Sequence, residues 1–209
     1  MRADDCRDDV RETLYTEEQI RSRLAEMARE IEREYDGLEP LLIGVLKGAV
    51  MVVSDLSREL RIPIQMDWMA VSSYGSGTTS SGVVRIVKDL DTDLTGRHVL
   101  IVEDIIDSGL TLSWLKQNLE SRGPASVEIC TLLRKPARLR ADVPVRYLGF
   151  DVPDEFVVGY GLDFDERYRH LCDVVVLRPH VFGGGETVPE PARVALEEGA
   201  GPSEDPGGR

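Results

Sequence analysis

A run of acidic and hydroxyl residues follows an apolar stretch near the middle of the chain. Residues 102–111 read Val-Glu-Asp-Ile-Ile-Asp-Ser-Gly-Leu-Thr. Ligands of an open α/β sheet bind beyond the carboxyl ends of its strands, which is where this run would lie. The N–H groups at the start of a following helix, with the hydroxyls of Ser108 and Thr111, could hold a phosphate. Gly109 would let the backbone approach that phosphate closely.

The alternative is a polar turn between a strand and a helix whose acids only cap the helix. A lone Asp-x-Gly-x-Thr leaves these two interpretations equally open. Five of the ten residues, however, are acidic or carry a hydroxyl, and they directly follow an apolar stretch. Capping alone explains that density less well, so the pattern favours a phosphate site.

The flanking sequence predicts the elements that position this run. A capping box at Thr16–Gln19 predicts a helix that ends near Asp36 and Gly37. Two further helices are predicted between residues 48 and 60 and over 110–122. The predicted strands cover residues 41–46, 64–73, 83–87, 98–102, 127–133, 145–150 and 174–177. Apolar strands that alternate with helices indicate an α/β fold, a mainly parallel twisted sheet flanked by helices.

The length and the local composition predict how the chain is divided. We expect one domain over residues 1–180, with a charged and frayed segment over its first dozen residues. The segment 75–82 contains only Gly, Ser and Thr, so we expect a mobile loop there. From Val181 the sequence is rich in Gly, Pro and Glu and has almost no large apolar residue. We therefore expect residues 181–209 to be a disordered tail.

Composition limits the partners. Lys and Arg number 25 against 38 Asp and Glu, a net charge of −13, so we expect no broad electrostatic footprint for nucleic acid. Cys6, Cys130 and Cys172 show no Cys-x-x-Cys spacing, which fits a reducing cytoplasm. The N-terminus has no secretory signal, and the apolar runs are too short to span a membrane. These features predict a cytoplasmic protein with no nucleic-acid and no membrane partner.

Residues 102–111 resemble the phosphoribosyl pyrophosphate signature of the type I phosphoribosyltransferases, and more narrowly its form in the hypoxanthine-guanine branch. Ser108 stands where Thr is commoner, and Leu110 stands where Lys is often found. Three other segments match in the family's order, so the resemblance extends over roughly Leu41 to Leu177. It implies the type I fold, with a small hood over the base site built from the N-terminal region and residues 135–180.

The resemblance also implies roles for individual residues. The implied ligands of phosphoribosyl pyrophosphate are Lys47, Gly48, Glu103, Asp104, Asp107, Ser108, Gly109, Leu110, Thr111 and Arg169. The implied purine-binding residues are Lys135, Phe156, Val157 and Asp163, and Ser73 and Tyr74 belong to a catalytic lid. The implied metal is Mg²⁺, held by Glu103, Asp104 and Asp163. A cis peptide bond is implied at Leu46-Lys47. Seen alone, Lys47 would be a solvated loop lysine and Phe156 a core residue.

The implied activity is that of a Mg²⁺-dependent glycosyltransferase (pentosyltransferase) in purine salvage. It would move the phosphoribosyl group onto hypoxanthine or guanine, with Asp107 as the general base for the purine N7 proton. The resemblance implies a homo-oligomer, a dimer or a tetramer. One alternative is transfer to xanthine or another base, and another is a regulator that senses phosphoribosyl pyrophosphate. The regulator would need a basic face or a DNA-binding domain, which a net charge of −13 disfavours.

Overall fold

The computed structural model describes residues 1–73 and 84–182. Three α-helices lie in these ranges, α1 Glu17–Glu34, α2 Val50–Glu59 and α3 Leu110–Glu120. The strands are β1 Val10–Tyr15, β2 Leu41–Leu46, β3 Gln65–Ser73, β4 Val84–Lys88, β5 His98–Ile106, β6 Ser126–Arg134, β7 Tyr147–Asp151, β8 Val157–Val158 and β9 Val174–Leu177. Short 3-10 helices cover Ala3–Cys6, Pro136–Arg138 and Pro179–Phe182.

Six strands form the main sheet in the order β4-β3-β2-β5-β6-β7. The edge strand β4 is antiparallel to β3, and all other neighbours in this sheet are parallel. The chain passes from β2 through α2 to β3 on one side, whereas β5 pairs with β2 on its other side. The crevice at the carboxyl ends of β2 and β5 is therefore the topological switch point, where ligands of such sheets bind.

Helices cover both faces of this sheet, which confirms the predicted α/β fold. The helix α1 begins at the predicted capping box, in which Thr16 and Gln19 each bond to the other's backbone N–H. Alternate residues of β2 and β5 point to opposite faces, so two apolar layers form. One layer contains the buried residues of α1 and α2, and the other contains Leu112, Leu115 and Leu119 of α3. Because apolar residues fill both faces of the sheet, polar side chains lie at its edge, where β2 and β5 end.

A second sheet is antiparallel and has the order β1-β9-β8. Its first strand shows that the expectation of a frayed N-terminus was wrong. Val10 is buried and lies opposite Leu177, and the carboxylate of Asp173 accepts the N–H groups of Ala3 and Glu17 at 3.0 and 2.9 Å. The local charge indicated exposure, but a strand from the far end of the domain supplies the order.

The predicted tail begins too early, because Val181 and Phe182 belong to the last 3-10 helix. The ring of Phe182 packs beside those of Phe156 and Phe164, with ring centroids 5.8 and 6.4 Å away. Residues 183–209 lie outside the described residues, and so does the loop predicted at 75–82. Within the two described ranges, no helix combines the length and the apolar composition needed to cross a bilayer.

Candidate active site

Two glycines bring the loop after β2 against the end of β5. The peptide bond Leu46-Lys47 is cis, as the resemblance implied. A Cβ added at Gly48 would overlap the carboxylate of Asp104, and one added at Gly161 would overlap the carbonyl oxygen of Gly48. Gly161 also has a φ of 103°, in the region that favours glycine. The absence of side chains at these two positions therefore lets three polar segments meet at the switch point.

The acidic pair lies inside β5, which runs to Ile106 and not to the predicted end at residue 102. Both side chains are half-buried. Burial raises the pKa of Asp104 to about 6, although the N–H of Ile105 and the charge of Arg169 act in the opposite direction. Burial, and then the charge of Asp104, raise the pKa of Glu103 well above its usual value. Among the described residues, no cation lies within ion-pair distance of either carboxylate, so the pair suits a cation or ligand hydroxyls.

Asp107 follows β5 and lies between two cations. Its Oδ2 is 3.6 Å from Nζ of Lys135, and its Oδ1 is 2.8 Å from Nε of Arg138. Lys135 is buried, whereas 43% of the Asp107 side chain is exposed. The N–H of Lys135 also bonds to the carbonyl of Ile106 at 2.9 Å, which fixes the lysine beside the end of β5. The predicted proton acceptor and the predicted purine-binding lysine thus form an ion pair.

The predicted phosphate loop leads directly into α3. Gly109 is the N-cap residue with a φ of 77°, and the N–H of Leu110 bonds to the hydroxyl of Ser108 at 3.4 Å. The N–H of Arg140 bonds to the carbonyl of Ser108 at 2.9 Å, so the segment after Lys135 holds this loop from the other side. The first N–H groups of this eleven-residue helix, including that of Thr111, have no partner within the helix. Such a helix end binds phosphate.

Lys47 and Arg169 converge on one carboxylate. Nζ of Lys47 lies 2.9 Å from Oε2 of Glu166, and Nη2 of Arg169 lies 3.3 Å from Oε1 of the same residue. The same Nη2 lies 2.8 Å from Oδ1 of Asp163, and Nη1 donates to the carbonyl of Gly161 at 2.8 Å. Among the described residues, the buried Nε of Arg169 has no hydrogen-bond partner. The two cations predicted to bind pyrophosphate are thus close together.

The predicted aromatic platform lies in the part of the expected hood that contains β8 and β9. Phe156 is half-buried and packs edge-on against Phe164, with the ring centroids 5.6 Å apart. Val157 is buried in β8 and pairs with β9. Asp154, just before this strand, lies 3.4 Å from Nη1 of Arg138. That contact joins the aromatic segment of the hood to the segment that carries Lys135.

Two predicted features are not formed by the described residues. Ser73 ends β3 and Tyr74 lies outside the described residues, so the lid stays a prediction. In the described part of the chain, no group of three or more His, Cys, Asp or Glu side chains is arranged to hold a metal ion. Mg²⁺, however, is usually bound through one or two carboxylates together with substrate phosphates. The acidic pair at the end of β5 has the donor chemistry for that arrangement.

Two residues of the site, Arg138 and Glu166, were not among the predicted residues. The 3-10 helix Pro136–Arg138 turns Arg138 back toward Asp107. Pro136 was the available signal, because proline is favoured in the first turn of a helix. Glu166 lies in a turn with a φ of 61°, and no local pattern indicates that this turn reaches Lys47.

This fold and site are those of a phosphoribosyl transferase domain, and the family of that description matches residues 10–165. A hypoxanthine-guanine phosphoribosyltransferase of Mycobacterium tuberculosis is 57% identical over 180 residues, covering 83% of this chain and 89% of the relative. One of Bacillus subtilis is 50% identical over 174 residues, covering 83% of this chain and 97% of that protein. A crystal structure of a Staphylococcus aureus hypoxanthine phosphoribosyltransferase superposes with a TM-score of 0.83, at 42% identity over 86% of this chain and 97% of that one.

The chain belongs to the phosphoribosyltransferase family, on its hypoxanthine-guanine branch. A further similar structure is that of a Trypanosoma cruzi hypoxanthine phosphoribosyltransferase, with a TM-score of 0.80 at 44% identity over 83% of this chain and 94% of that one. That protein was studied for the role of its C-terminal region in oligomeric state and enzymatic activity.

Proposed function

We propose that this protein transfers the phosphoribosyl group of phosphoribosyl pyrophosphate to hypoxanthine and guanine. The products are IMP or GMP and pyrophosphate, so the reaction salvages free purine bases. The observation that carries the proposal is the pair of Asp107 and Lys135, 3.6 Å apart, beside the N-terminal end of α3. That arrangement puts a proton acceptor and a cationic donor next to a phosphate-binding helix end.

The reaction forms a bond between a purine nitrogen and the ribose carbon and breaks the bond from that carbon to pyrophosphate. Asp107 accepts the N7 proton that the purine loses, while the helix end holds the 5-phosphate. Lys47 and Arg169 stabilise the charge that grows on the departing pyrophosphate. Glu103 and Asp104 bind the ribose hydroxyls.

A metal ion fits the acidic edge of the site. The raised pKa of Asp104, about 6, reflects a buried carboxylate that a cation would stabilise as an anion. Glu103, Asp104 and Asp163 would hold Mg²⁺, which when bound neutralises charge on the pyrophosphate. Mg²⁺ dependence is therefore part of the proposal.

Lys135 is the residue on which base specificity depends. Its ammonium donates to the oxygen at position 6 of hypoxanthine or guanine, whereas the amino group of adenine at that position cannot accept. Phe156 stacks on the ring, and the backbone of Val157 contacts the edge of the base. Xanthine also carries an oxygen at position 6, so transfer to xanthine is the second candidate.

Three further features stay predictions. A lid that includes Ser73 and Tyr74 closes over the site before chemistry, because water would destroy the activated ribose. The protein acts in the cytoplasm. It assembles as a dimer or a tetramer of its own chain.

The direct test is nucleotide formation by the purified full chain with phosphoribosyl pyrophosphate, Mg²⁺ and each base separately. We expect activity with hypoxanthine and guanine, none with adenine, and loss of activity in excess chelator. Xanthine as the preferred base would replace the proposal with the second candidate. Tight binding of phosphoribosyl pyrophosphate without transfer to any base would indicate a regulator. Full activity in chelator would remove the metal from the mechanism.

A further inference from the structure

The carboxylate of Glu166 bridges Lys47 and Arg169, the two cations proposed to bind the diphosphate of the substrate. One oxygen of its carboxylate lies 2.9 Å from Nζ of Lys47, and the other lies 3.3 Å from Nη2 of Arg169. A carboxylate that bridges two cations in this way resembles one phosphoryl group in charge and in its acceptor oxygens. The cations proposed to bind pyrophosphate therefore already have an anionic partner within the chain.

The backbone of Glu166 is held in its turn, whereas its side chain is exposed. Its φ is 61°, and its N–H donates to Oδ2 of Asp163 at 2.9 Å. Arg169 is fixed in turn, because Nη1 donates to the carbonyl of Gly161, which packs against Gly48 in the loop of Lys47. The ion pairs thus join two loops that are already in contact, and they leave Glu166 on the solvent side. Its side chain is 63% exposed, so it can move away without disturbing the core.

We propose that the carboxylate of Glu166 is an internal competitor of the diphosphate for Lys47 and Arg169. The inference rests on the proposed function, since it concerns the same site. Binding of phosphoribosyl pyrophosphate replaces the carboxylate of Glu166 with diphosphate oxygens on both cations. When pyrophosphate leaves, Glu166 returns to them. The residue therefore weakens the binding of every diphosphate ligand and favours release of the product.

The expected size of the effect follows from the exposure of the pairs. The Lys47 side chain is 65% exposed and that of Arg169 is 24% exposed. Ion pairs at such positions are weak, so loss of the competition should tighten diphosphate binding by about two- to five-fold. Solvent ions screen exposed pairs, so the difference should shrink as the salt concentration rises.

The test compares Glu166→Gln with the matched control Asp165→Asn. Both remove one negative charge from the same turn, and both positions have positive φ, 61° and 50°. Asp165 is exposed and forms no ion pair within the described part of the chain, so its replacement reports the general effect of the charge. The measurement is direct binding of inorganic pyrophosphate with Mg²⁺ to the full chain by titration calorimetry, at low and high salt. The KM for phosphoribosyl pyrophosphate and for hypoxanthine is measured in parallel.

We expect Glu166→Gln to bind pyrophosphate about two- to five-fold more tightly than both Asp165→Asn and the wild type, with an unchanged KM for hypoxanthine. In a Lys47→Gln background, the gain from Glu166→Gln should be smaller, because one of the two contested cations is gone. Equal affinities of the two single variants would overturn the inference. Weaker binding by Glu166→Gln would also overturn it, since Glu166 would then assist the ligand. Wild-type transfer activity, measured first, tests the proposed function separately.

Discussion

Arg138 binds Asp107 from the side opposite to Lys135, with its Nε 2.8 Å from Oδ1 of the carboxylate. Its Nη1 lies 3.4 Å from Asp154 in the hood, so one guanidinium connects the proposed general base to the loop before the aromatic platform. Arg138 is therefore a positioning residue for Asp107. This contact would keep the carboxylate in one orientation when Lys135 donates to the purine as proposed.

Replacement of Arg138 with Gln should lower kcat by about two- to five-fold, the worth of a partly exposed ion pair. The KM for phosphoribosyl pyrophosphate should change little, because the helix end of α3 is untouched. Arg140→Gln is the matched control, since Arg140 lies in the same segment and has no ion-pair partner among the described residues. Partial recovery in Arg138→Lys would support positioning by charge. Equal effects of Arg138→Gln and Arg140→Gln would contradict the assignment.

Asp107→Asn should lower kcat by about 10²–10⁴-fold, because it removes a positioned proton acceptor. Binding of phosphoribosyl pyrophosphate should survive, since the backbone N–H groups at residues 108–111 are the proposed phosphate ligands. Glu103→Gln and Asp104→Asn should instead weaken Mg²⁺-dependent binding of the sugar. Turnover and direct binding of the three variants, measured side by side, separate these roles. A near-normal kcat in Asp107→Asn means that the proton leaves by another route.

Lys135→Ala should raise the KM for hypoxanthine far more than that for phosphoribosyl pyrophosphate. A hydrogen bond from a charged donor contributes about 1.5–3 kcal/mol, which corresponds to roughly 10- to 150-fold. Lys116→Ala serves as the control, because Lys116 bonds to the carbonyl of Val127 and pairs with Glu120 on α3. Steady-state kinetics with each substrate varied in turn makes the comparison. If both KM values rise together, Lys135 is not specific to the base.

Asp104 should make the unliganded protein less stable at neutral pH. Its folded pKa of about 6 lies above the unfolded value of about 3.9, so the native state binds the proton more tightly. The stability this provides is present below the unfolded pKa and is lost as the pH rises through 6. Asp104→Asn should therefore exceed the wild type by about 1–3 kcal/mol at pH 7.5 and match it near pH 4. Thermal melts at both pH values test this, with Asp165→Asn as a control expected to show no such gain.

Phe182→Ala should destabilise the hood by about 1–2 kcal/mol, because the ring packs against Phe156 and Phe164. Deletion of residues 183–209, which keeps this ring, should leave stability and turnover nearly unchanged. Deletion from residue 181 removes the ring and should resemble Phe182→Ala. Melting temperature and turnover of the three proteins separate the contribution of the Phe182 ring from that of residues 183–209. A large loss on deletion of 183–209 would show that this segment binds elsewhere on the protein or on a second copy.

Local sequence patterns predicted the helices and strands that neighbouring residues specify. The strand Leu41–Leu46 matches its apolar run, and α1 begins at the Thr16 capping box. The same patterns failed where a distant segment decides the structure. β1 is charged but is ordered by β9, and β5 continues into its acidic residues because β6 pairs alongside as far as Ile106.

The residues of the candidate site also fall into two groups, those that local sequence predicted and those that only the structure revealed. Residues 103–111 stand in one run, so their types and spacing indicated their chemistry before any fold was known. The pairing of Asp107 with Lys135 needed the resemblance, and its distance needed the structure. Arg138 and Glu166 reach the site through a 3-10 turn and a turn with positive φ. Contacts of that kind depend on backbone conformations that neighbouring residue types do not specify.

Two backbone hydrogen bonds tie the base site to the phosphate site. The N–H of Lys135 bonds to the carbonyl of Ile106, and the N–H of Arg140 bonds to that of Ser108, both at 2.9 Å. The ammonium proposed to contact the base and the helix end proposed to hold the phosphate are therefore joined through the backbone at two points. A nucleotide that engages both ends must match the separation that these two bonds help to set. We therefore expect an analogue lengthened by one methylene between sugar and phosphate to bind less tightly than the nucleotide itself.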